Sequence, residues 1–437
     1  MKKLLALLLC IAMLIPMAAM ADDGRIHITY SFWGNQTEAE SVQAALDEFN
    51  AMQDRIFVEP MQIPNEEYTQ TLVNYAIAGQ LPDCGMVNEN AVLYFARNGV
   101  MADVSDMYAG ETLQPMECIT FKDGGTPVGY SSCNEILVLY YNKDMFDAAG
   151  VAYPSATDPY TWEEFVAVAR QLTFDKNGLH PGEEGFDANN IVQYGCFVNN
   201  WTWQMEVWAL SNGGAWFSPD GTEVLINSPE AIESIQMVAD LALVEHVAPL
   251  NVIPEDNGVG IGIGSGTVAM TTDGTWRLGT DFPNLDINYG IAPLPVMDKQ
   301  VTLCTSGLTG VFAGKNQAAA YEFVKWYTRE ESNWNSLILT GIWMPKSEYY
   351  YTTEEGINAW LGNEAYPFKD IEAGRAVLVD YTMNYAQPAC WYYTPNTQIT
   401  TNEILFTALQ SVWAGERTAE EVINEIYPEL CEAIVIE

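Results

Sequence analysis

Positively charged residues are scarce in this 437-residue chain: 18 lysines and arginines stand against 58 aspartates and glutamates, a formal net charge of −40. A nucleic-acid duplex or an anionic membrane surface would be repelled by such a chain. The charge therefore argues against nucleic acid as a partner and disfavours phosphate-rich ligands. It leaves neutral, hydroxyl-rich ligands and cations as candidates.

Histidine is rare, and motifs of known catalytic chemistry are missing. The three histidines, His27, His180 and His246, are far apart, and none stands in a metal-binding spacing such as H-E-x-x-H. The sequence has neither a phosphate-binding loop nor a G-x-S-x-G turn. We therefore expect no metal, no cofactor and no catalytic residues. A glycoside hydrolase needs only two carboxylates, so that class stays open as an alternative.

Cysteine is present but forms no recognisable pattern. Of the eight cysteines, seven are scattered widely beyond the amino terminus, and no C-x-x-C pair occurs. An odd, scattered set argues against a disulfide framework. Buried cysteines that pack as small apolar residues are the expected outcome, and whether one disulfide forms stays open.

Long apolar runs are absent except at the amino terminus. Two lysines precede an apolar run at residues 4–15, and an A-x-A cleavage site follows at 19–21. The run is too short to span a bilayer, so residues 1–21 are predicted to be a secretory signal peptide. The mature chain is expected to be soluble, in the periplasm or at the extracellular cell surface. Cys10 follows Leu9, whereas a bacterial lipobox has Gly, Ala or Ser there, so no lipid anchor is expected.

The rest of the chain alternates between strand and helix patterns. Residues 25–32 alternate in polarity and predict a strand, and residues 42–49 have the apolar spacing of a helix. A second strand at 56–63 and a second helix at 68–78 follow. Strand–helix–strand repeats of this length build parallel sheets with covered faces. The sequence therefore predicts an α/β fold with more than one domain.

Thirteen tryptophans are present, and several stand beside turn residues and polar groups instead of within apolar runs. An aromatic ring offers a flat apolar face with a polar tip, which can cover the C–H face of a sugar while neighbouring polar side chains hold its hydroxyls. A role in the core is the alternative for each ring. The tryptophans in such settings are Trp33, Trp201, Trp203, Trp276 and Trp343.

Short motifs follow one another in an order that resembles a known family. Each motif is weak alone, but their ordered succession over nearly all of the mature chain is specific. The chain resembles the extracellular solute-binding proteins of bacterial ABC transporters, in the sugar-binding family typified by maltose-binding protein. The motifs include Phe32-Trp33-Gly34, Gly79-Gln80-Leu81-Pro82-Asp83, Tyr141-Asn142-Lys143-Asp144, Thr161-Trp162-Glu163-Glu164-Phe165, Asp273-Gly274-Thr275-Trp276 and Ala292-Pro293-Leu294-Pro295.

The resemblance implies an α/β fold of two lobes, the type II fold of periplasmic binding proteins, with the ligand in the cleft between the lobes. The amino-terminal lobe would hold residues 22–131 and 296–341, and the carboxy-terminal lobe 132–295 and 342–437. It implies a monomer without enzymatic activity that captures a sugar, a short oligosaccharide, by lobe closure and delivers it to a membrane permease. A secreted glycoside hydrolase and a binding protein for a polyamine or peptide are the alternatives.

The resemblance also implies which residues contact the ligand. In the family, the aromatic after the Asn/Asp-Gly turn stacks on sugar, here Trp276, and an aromatic upstream of a Gly-Gly pair, here Trp203, plays a similar part. Polar contacts come from the loops after the first and third strands and from an acidic residue at the start of a later strand. The predicted set is Trp33, Asn35, Gln36, Asn88, Glu89, Asn90, Glu135, Trp201, Trp203, Asp273, Trp276 and Trp343.

The chain departs from the family pattern in two respects. Val87 stands where maltodextrin binders carry an aromatic residue, which weakens maltodextrin as the specific ligand. Gram-positive members of the family are usually lipoproteins, and the lipobox cysteine is missing here, so how the protein is retained at the cell stays open.

Overall fold

The computed structural model describes residues 24–104, 106–107, 120–123, 126–250 and 262–435. The predicted signal peptide lies outside the described residues. Within those ranges, no helix combines the length and the apolarity that a membrane crossing needs. The six described cysteines are all free thiols, and five of them are buried.

Strands and helices alternate along the described chain, as predicted. The strands are β1 (Ile26–Phe32), β2 (Ile56–Gln62), β3 (Cys84–Val87), β4 (Thr120–Asp123), β5 (Thr126–Tyr130), β6 (Glu135–Asn142), β7 (Phe174–Asp175), β8 (Ile191–Val198), β9 (Val268–Gly274), β10 (Tyr289–Ala292), β11 (Thr302–Thr305), β12 (Leu308–Val311) and β13 (Ala386–Pro388). The α-helices are Gln36–Met52, Tyr68–Ala78, Glu89–Arg97, Lys143–Ala149, Trp162–Leu172, Thr202–Ser211, Pro229–Leu243, Arg277–Thr280, Gln317–Tyr327, Glu330–Asn333, Tyr349–Thr352, Glu354–Trp360, Ile371–Gly374, Thr382–Tyr385, Phe406–Trp413 and Ala419–Ile434. Short 3₁₀ turns (Asn65–Glu67, Phe282–Asn284, Cys390–Tyr392) and π-helical segments (Trp334–Ile338, Arg375–Tyr381, Gln398–Leu405) connect them.

The first sheet has the strand order β12-β3-β1-β2. β1 runs parallel to β2 and β3, and β12 is antiparallel to β3. Ile28, Tyr30 and Phe32 of β1 are all buried on one face, because alternate side chains of a strand point to the same side. The sheet therefore has the parallel centre that strand–helix–strand repeats produce.

The second sheet has the order β13-β11-β6-β9-β8-β7, with β10 also paired to β6. β6 is central, and both of its faces are buried. Leu137 and Leu139 point into one hydrophobic cluster, while Ile136 and Val138 point into the other. A strand covered on both sides reads as a continuous apolar run, as the sequence of β6 does.

The chain crosses between the two sheets in neighbouring places. β11 ends in the second sheet and β12 begins in the first, with only two residues between them. Beside that crossing, Ser131 bridges to Leu308 and Asn134 bridges to Met344. β11 pairs with the second sheet, although the sequence places it in the segment 296–341 of the amino-terminal lobe. The lobe boundaries stay a prediction.

Candidate functional site

The ends of several strands from both sheets lie next to these crossings. In the first sheet, β12 begins opposite the end of β3. In the second sheet, Gly274 at the end of β9 pairs with Leu137, and Thr305 at the end of β11 pairs with Glu135. Open α/β sheets bind ligands at the carboxyl ends of their strands. The residues that follow these strand ends are therefore the candidates for contact with a ligand.

Three tryptophans from separate segments meet at this edge. The ring centroid of Trp203 lies 6.0 Å from that of Trp276 and 5.0 Å from that of Trp391. Trp203 and Trp276 belong to the predicted set, and both are half-buried. Trp391 was missed, although the run of aromatic residues around it was a signal in the sequence. The three rings form one group, which we call the tryptophan cluster, and Trp391 lies buried at its base, 3% exposed.

The position of Trp276 depends on the glycine two residues before it. A β-carbon on Gly274 would lie 1.8 Å from the nearest atom of the Trp276 indole, so the ring occupies the space that a side chain would need. The backbone N–H of Gly274 donates to Oδ1 of Asp273 at 2.8 Å. The end of β9 thus fixes the ring against the sheet.

Replacing Gly274 with alanine is expected to displace the Trp276 ring and change the near-ultraviolet circular dichroism of the protein. The free energy of unfolding should fall by only about 1 kcal/mol, because a ring at the surface of the site can rotate away. Gly314→Ala is the matched control, since a β-carbon there would have no neighbour within 4 Å. Identical spectra for the two variants would contradict the packing described for Trp276.

Asp273 is buried, only 2% exposed. Its carboxylate accepts the Nε–H of Arg277 at 3.1 Å. The side-chain amides of Asn199 and Gln204 donate to it at 3.4 Å. Asp273 therefore connects the turn before Trp276 to the segment that carries Trp203. Contact with a ligand stays a prediction for this residue.

Arg277 extends the hydrogen-bond network of Asp273 towards Trp201. Its guanidinium donates to Asp281 at 2.9 Å and lies 5.9 Å from the centre of the Trp201 ring. Two carboxylates beside one guanidinium raise the pKa of Arg277 despite its burial. The predicted residue Trp201 is thus held beside a cation that is already neutralised.

The loop after β1 connects the first sheet to the turn that follows Trp276. Trp33 packs edge-on against Tyr68, with ring centroids 4.9 Å apart. Asn35 caps the helix Gln36–Met52, and its side-chain amide donates to the carbonyl of Thr280 at 3.4 Å. Gln36 is exposed and donates to Glu40 of its own helix. Of the three predicted residues, Asn35 is the one that bridges to the turn after Trp276.

The start of the helix Glu89–Arg97 approaches the segment of Trp391. This helix contacts the turn Cys390–Tyr392, and the carbonyl of Asn90 accepts the hydroxyl of Thr397 at 3.2 Å. Asn88 accepts the hydroxyl of Thr69 at 2.7 Å. The predicted residues at 88–90 therefore lie between the first sheet and the tryptophan cluster.

Several buried polar atoms near these residues have no hydrogen-bond partner in the described part of the chain. Buried polar groups are nearly always paired in proteins, so these atoms are candidates for hydrogen bonds with a polar ligand. Neither polar atom of the Asn200 amide, next to Trp201, is satisfied. The other atoms in this set are Oδ1 of Asn90, Oγ1 of Thr202, Oγ1 of Thr305 and Nε1 of Trp391.

Three glutamates of the site interact through their charges. Burial and the charges of Glu89 and Glu38 raise the pKa of Glu135 well above its usual range. Burial raises the pKa of Glu89 to about 7 and that of Glu38 to about 6. We call these three side chains the carboxylate cluster. Glu38 was missed by the sequence analysis; in the structure its carboxylate accepts the backbone N–H of Asn35 at 2.8 Å. Among the described residues no group of ligands is arranged to hold a metal ion.

Trp343 lies apart from the tryptophan cluster. It is 6% exposed and packs edge-on against Tyr327, with ring centroids 5.9 Å apart. It belongs to the hydrophobic cluster under β1, whereas Trp33, Trp203 and Trp276 pack against the other one. Its described contacts are those of a core residue, and its predicted contact with ligand stays a prediction.

Glu206 supports the segment of Trp391 from inside. It is 1% exposed, and its carboxylate accepts the backbone N–H of Cys390 at 3.0 Å. Burial raises the pKa of Glu206 to about 7. The side chain lies on the helix Thr202–Ser211, so it ties Trp203 and Trp391 together from below.

The raised pKa of Glu206 predicts a stability that falls as the pH rises from about 5 to about 7. In that window the folded protein keeps a proton that the unfolded chain, with an ordinary glutamate pKa, has lost. Glu206→Gln should make the decline smaller by about 2 kcal/mol, measured by denaturant unfolding at both pH values. Exposed Glu163 provides the control as Glu163→Gln. An unchanged decline in Glu206→Gln would refute the assignment.

Comparison with known proteins places the chain within a described family. Residues 33–334 match the family model described as bacterial extracellular solute-binding protein. The sn-glycerol-3-phosphate-binding periplasmic protein UgpB of Agrobacterium fabrum is 29% identical over 208 residues, which is 45% of this chain and 43% of that protein. Its counterpart in Brucella abortus is 29% identical over 320 residues, 65% of this chain and 66% of that protein. The chain thus spans about half to two thirds of the length of these relatives.

Solved structures resemble this chain over nearly its whole length. An ABC substrate-binding protein from Listeria monocytogenes, in complex with cycloalternan, has a TM-score of 0.77 and 22% identity, covering 94% of this chain and all of that one. A maltose/maltodextrin-binding domain from Bdellovibrio bacteriovorus, bound to maltotriose, has a TM-score of 0.73 and 17% identity, covering 93% and 99%. The predicted two-lobed α/β fold is confirmed.

Proposed function

The chain belongs to the family of bacterial extracellular solute-binding proteins, and from that membership we propose that it captures a sugar for import. The ligand is a short oligosaccharide, and the protein delivers it to the permease of an ABC transporter. The observation that carries the proposal is the tryptophan cluster with unpartnered buried polar side chains beside it. Aromatic faces and hydrogen-bonding groups in one cleft suit a sugar.

The capture mechanism is closure of the two lobes around the ligand. Asn35 and Asn90 follow strands of the first sheet, whereas Trp203 and Trp276 follow strands of the second. A sugar that contacts both sets stabilises the closed arrangement by its higher affinity for that state. Binding and release need no covalent step, so we propose that the protein is not an enzyme. The sugars named with the Listeria and Bdellovibrio structures support this ligand class.

Glycerol phosphate, the ligand named for the curated relatives, fits the charges of the site less well. A phosphate needs cationic or N–H donors. The guanidinium of Arg277 is already paired with Asp273 and Asp281. The carboxylate cluster would repel an anion further, so a ligand without negative charge is the better match.

We propose that the protein works outside the cytoplasmic membrane. In this role it is a monomer without a lipid anchor. The permease is its protein partner, and the carbohydrate is its small-molecule ligand. Membership of an extracellular family and the predicted signal peptide support this location. Gel filtration of the exported protein checks the monomer, and cell fractionation checks the location.

A thermal-shift screen of residues 22–437 against mono- and oligosaccharides tests the proposal. A sugar present at about 100 times its dissociation constant should add about 2.7 kcal/mol of stability. A raised melting temperature with the sugar recovered unchanged is the expected result. Recovery of cleaved sugar would favour the glycoside hydrolase. A screen in which no sugar raises the melting temperature would overturn the proposal and favour a polyamine or peptide ligand.

A further inference from the structure

Two hydrogen bonds connect elements of the first sheet directly to elements of the second. The side-chain amide of Asn35, in the loop after β1, donates to the carbonyl of Thr280, which ends the short helix after β9, at 3.4 Å. The hydroxyl of Thr397 donates to the carbonyl of Asn90, in the helix after β3, at 3.2 Å. We call these two contacts the cross-lobe bonds.

Each cross-lobe bond follows a member of the tryptophan cluster along the chain. Thr280 comes shortly after Trp276, and Thr397 comes shortly after Trp391. The Trp203 ring lies between those two rings, since it contacts both of them. The lobes are therefore joined at two points, one after each outer ring of the cluster.

Thr397 has a firm support in the second lobe. The backbone of Asn396, directly before it, is in the left-handed region with φ of 57°, which asparagine adopts more readily than most residues. The side-chain amide of Asn396 donates to the carbonyl of Ala433 in the last helix at 2.9 Å. Thr397 itself is 1% exposed. Its hydroxyl is therefore held in place by the second lobe when it meets the first.

Apolar packing accompanies the second cross-lobe bond. The helix Glu89–Arg97, which follows β3 of the first sheet, contacts the segments Cys390–Tyr392 and Gln398–Leu405. Phe95 of this helix and Leu405 are each 1% exposed and belong to the same hydrophobic cluster. Burial of apolar surface between the lobes favours the closed arrangement whatever solute is bound.

We infer that the cross-lobe bonds close the lobes without a bound solute, and that Thr397 is a positioning residue that slows the release of a captured solute. The inference goes beyond the proposed function, since it does not depend on which solute binds. Each bond replaces hydrogen bonds to water in the open arrangement, so its net contribution is modest. A contact that exists only in the closed state stabilises that state in the empty and the loaded protein alike.

Small-angle X-ray scattering of the empty mature protein, residues 22–437, tests closure without a solute. Thr397→Val keeps nearly the same shape, removes the donor and leaves the carbonyl of Asn90 without its partner in the closed state. The ratio of closed to open protein should fall about tenfold, which is measured as a larger radius of gyration. Thr397→Ser keeps the hydroxyl and should restore the radius of the parent protein.

Thr400→Val is the matched control for this comparison. Thr400 is fully buried, and its hydroxyl donates to the carbonyl of Asn396 at 3.2 Å, the same distance as in the bond of Thr397. Both partners lie in the second lobe. Loss of this bond should lower the free energy of unfolding but leave the radius of gyration unchanged.

Asn35→Ser tests the other cross-lobe bond. Serine caps a helix as well as asparagine does, so the helix Gln36–Met52 keeps its cap, but serine lacks the amide that reaches Thr280. The radius of gyration of the empty protein should increase as in Thr397→Val. Because both bonds act on one closing equilibrium, the double variant should lower the closed-to-open ratio by the product of the two single effects.

Stopped-flow fluorescence measures the release of the saccharide that gives the largest thermal shift in the screen. The dissociation rate of Thr397→Val should rise about tenfold. Its association rate should change less than about twofold, because the sugar enters the open arrangement, in which the bond is absent. Thr397→Ser and Thr400→Val should both release the sugar at the rate of the parent protein.

The outcomes separate this inference from the proposed function. Equal radii of gyration for the empty parent, Thr397→Val and Asn35→Ser would overturn closure without a solute, whatever the sugar screen gives. Equal dissociation rates for Thr397→Val and Thr400→Val would overturn the role of Thr397 in release and leave sugar binding intact. If no sugar binds, the proposed function fails, whereas the scattering comparison still decides whether the cross-lobe bonds close the protein.

Discussion

Replacement of Asp273 with alanine is expected to lower the free energy of unfolding by about 3–5 kcal/mol. The guanidinium of Arg277 is 11% exposed and would lose one of its two carboxylate partners. Removal of one member of a buried ion pair leaves a charge that neither water nor protein fully compensates. The N–H of Gly274 and the amide of Gln204 would lose their acceptor as well. Chemical denaturation at pH 7 measures the change.

An exposed ion pair provides the control for this prediction. Arg55 and Glu322 form an ion pair in which the two side chains are 62% and 45% exposed. Pairs in such positions contribute little, because water and salt screen them. Glu322→Ala should therefore have a much smaller effect than Asp273→Ala. Equal effects of the two substitutions would show that Asp273 does not anchor the turn before Trp276.

Trp203→Ala is expected to weaken the binding of the saccharide found in the thermal-shift screen by about 2–3 kcal/mol, roughly a hundredfold. The Trp203 ring contacts both Trp276 and Trp391, so its removal takes away apolar surface and the support of two other rings. Isothermal titration measures the affinity. Trp276→Ala should have a smaller effect, because that ring contacts Trp203 but has no described contact with Trp391.

Trp334 offers a matched control for the loss of an indole. It is half-buried and stacks on Tyr350, with ring centroids 4.7 Å apart, against the hydrophobic cluster that contains Trp343. Trp334→Ala removes the same side chain away from the tryptophan cluster. If Trp203→Ala bound the saccharide within a factor of two of the parent protein, the assignment of the site would be contradicted. A loss of affinity in Trp334→Ala as large as in Trp203→Ala would contradict it as well.

Local patterns in the sequence were sufficient for the first strands and helices and for part of the candidate site. Ile28, Tyr30 and Phe32 alternate in the sequence and are buried together in β1. Trp276 and Trp203 stand next to turns at strand ends, and such positions follow from local chemistry. The family resemblance ordered these motifs, and the family match and the two-lobed fold agree with it.

Residues that are distant in the sequence account for what was missed. Trp391 contacts Trp203 across nearly 190 residues of sequence, and Glu206 of the helix Thr202–Ser211 binds the N–H of Cys390 beside it. Thr305 lies beside Glu135 because β11 pairs with β6. No periodicity or spacing within one segment encodes either contact. Glu38 joins the cluster for the same reason, since the loop after β1 meets the turn after Trp276.

Trp276 and Trp343, which both follow turns, show the limit of what the sequence alone can predict. By itself, it determined the first strands and helices, the α/β class and the presence of aromatic residues beside turns, because each of these depends on neighbours within a few positions. Only the tertiary structure decided that Trp276 lies over Gly274 at the site whereas Trp343 packs against Tyr327 in the core. The reason is physical: the environment of a side chain is set by the elements packed against it, and sheet pairing and chain crossings bring those elements from distant parts of the sequence.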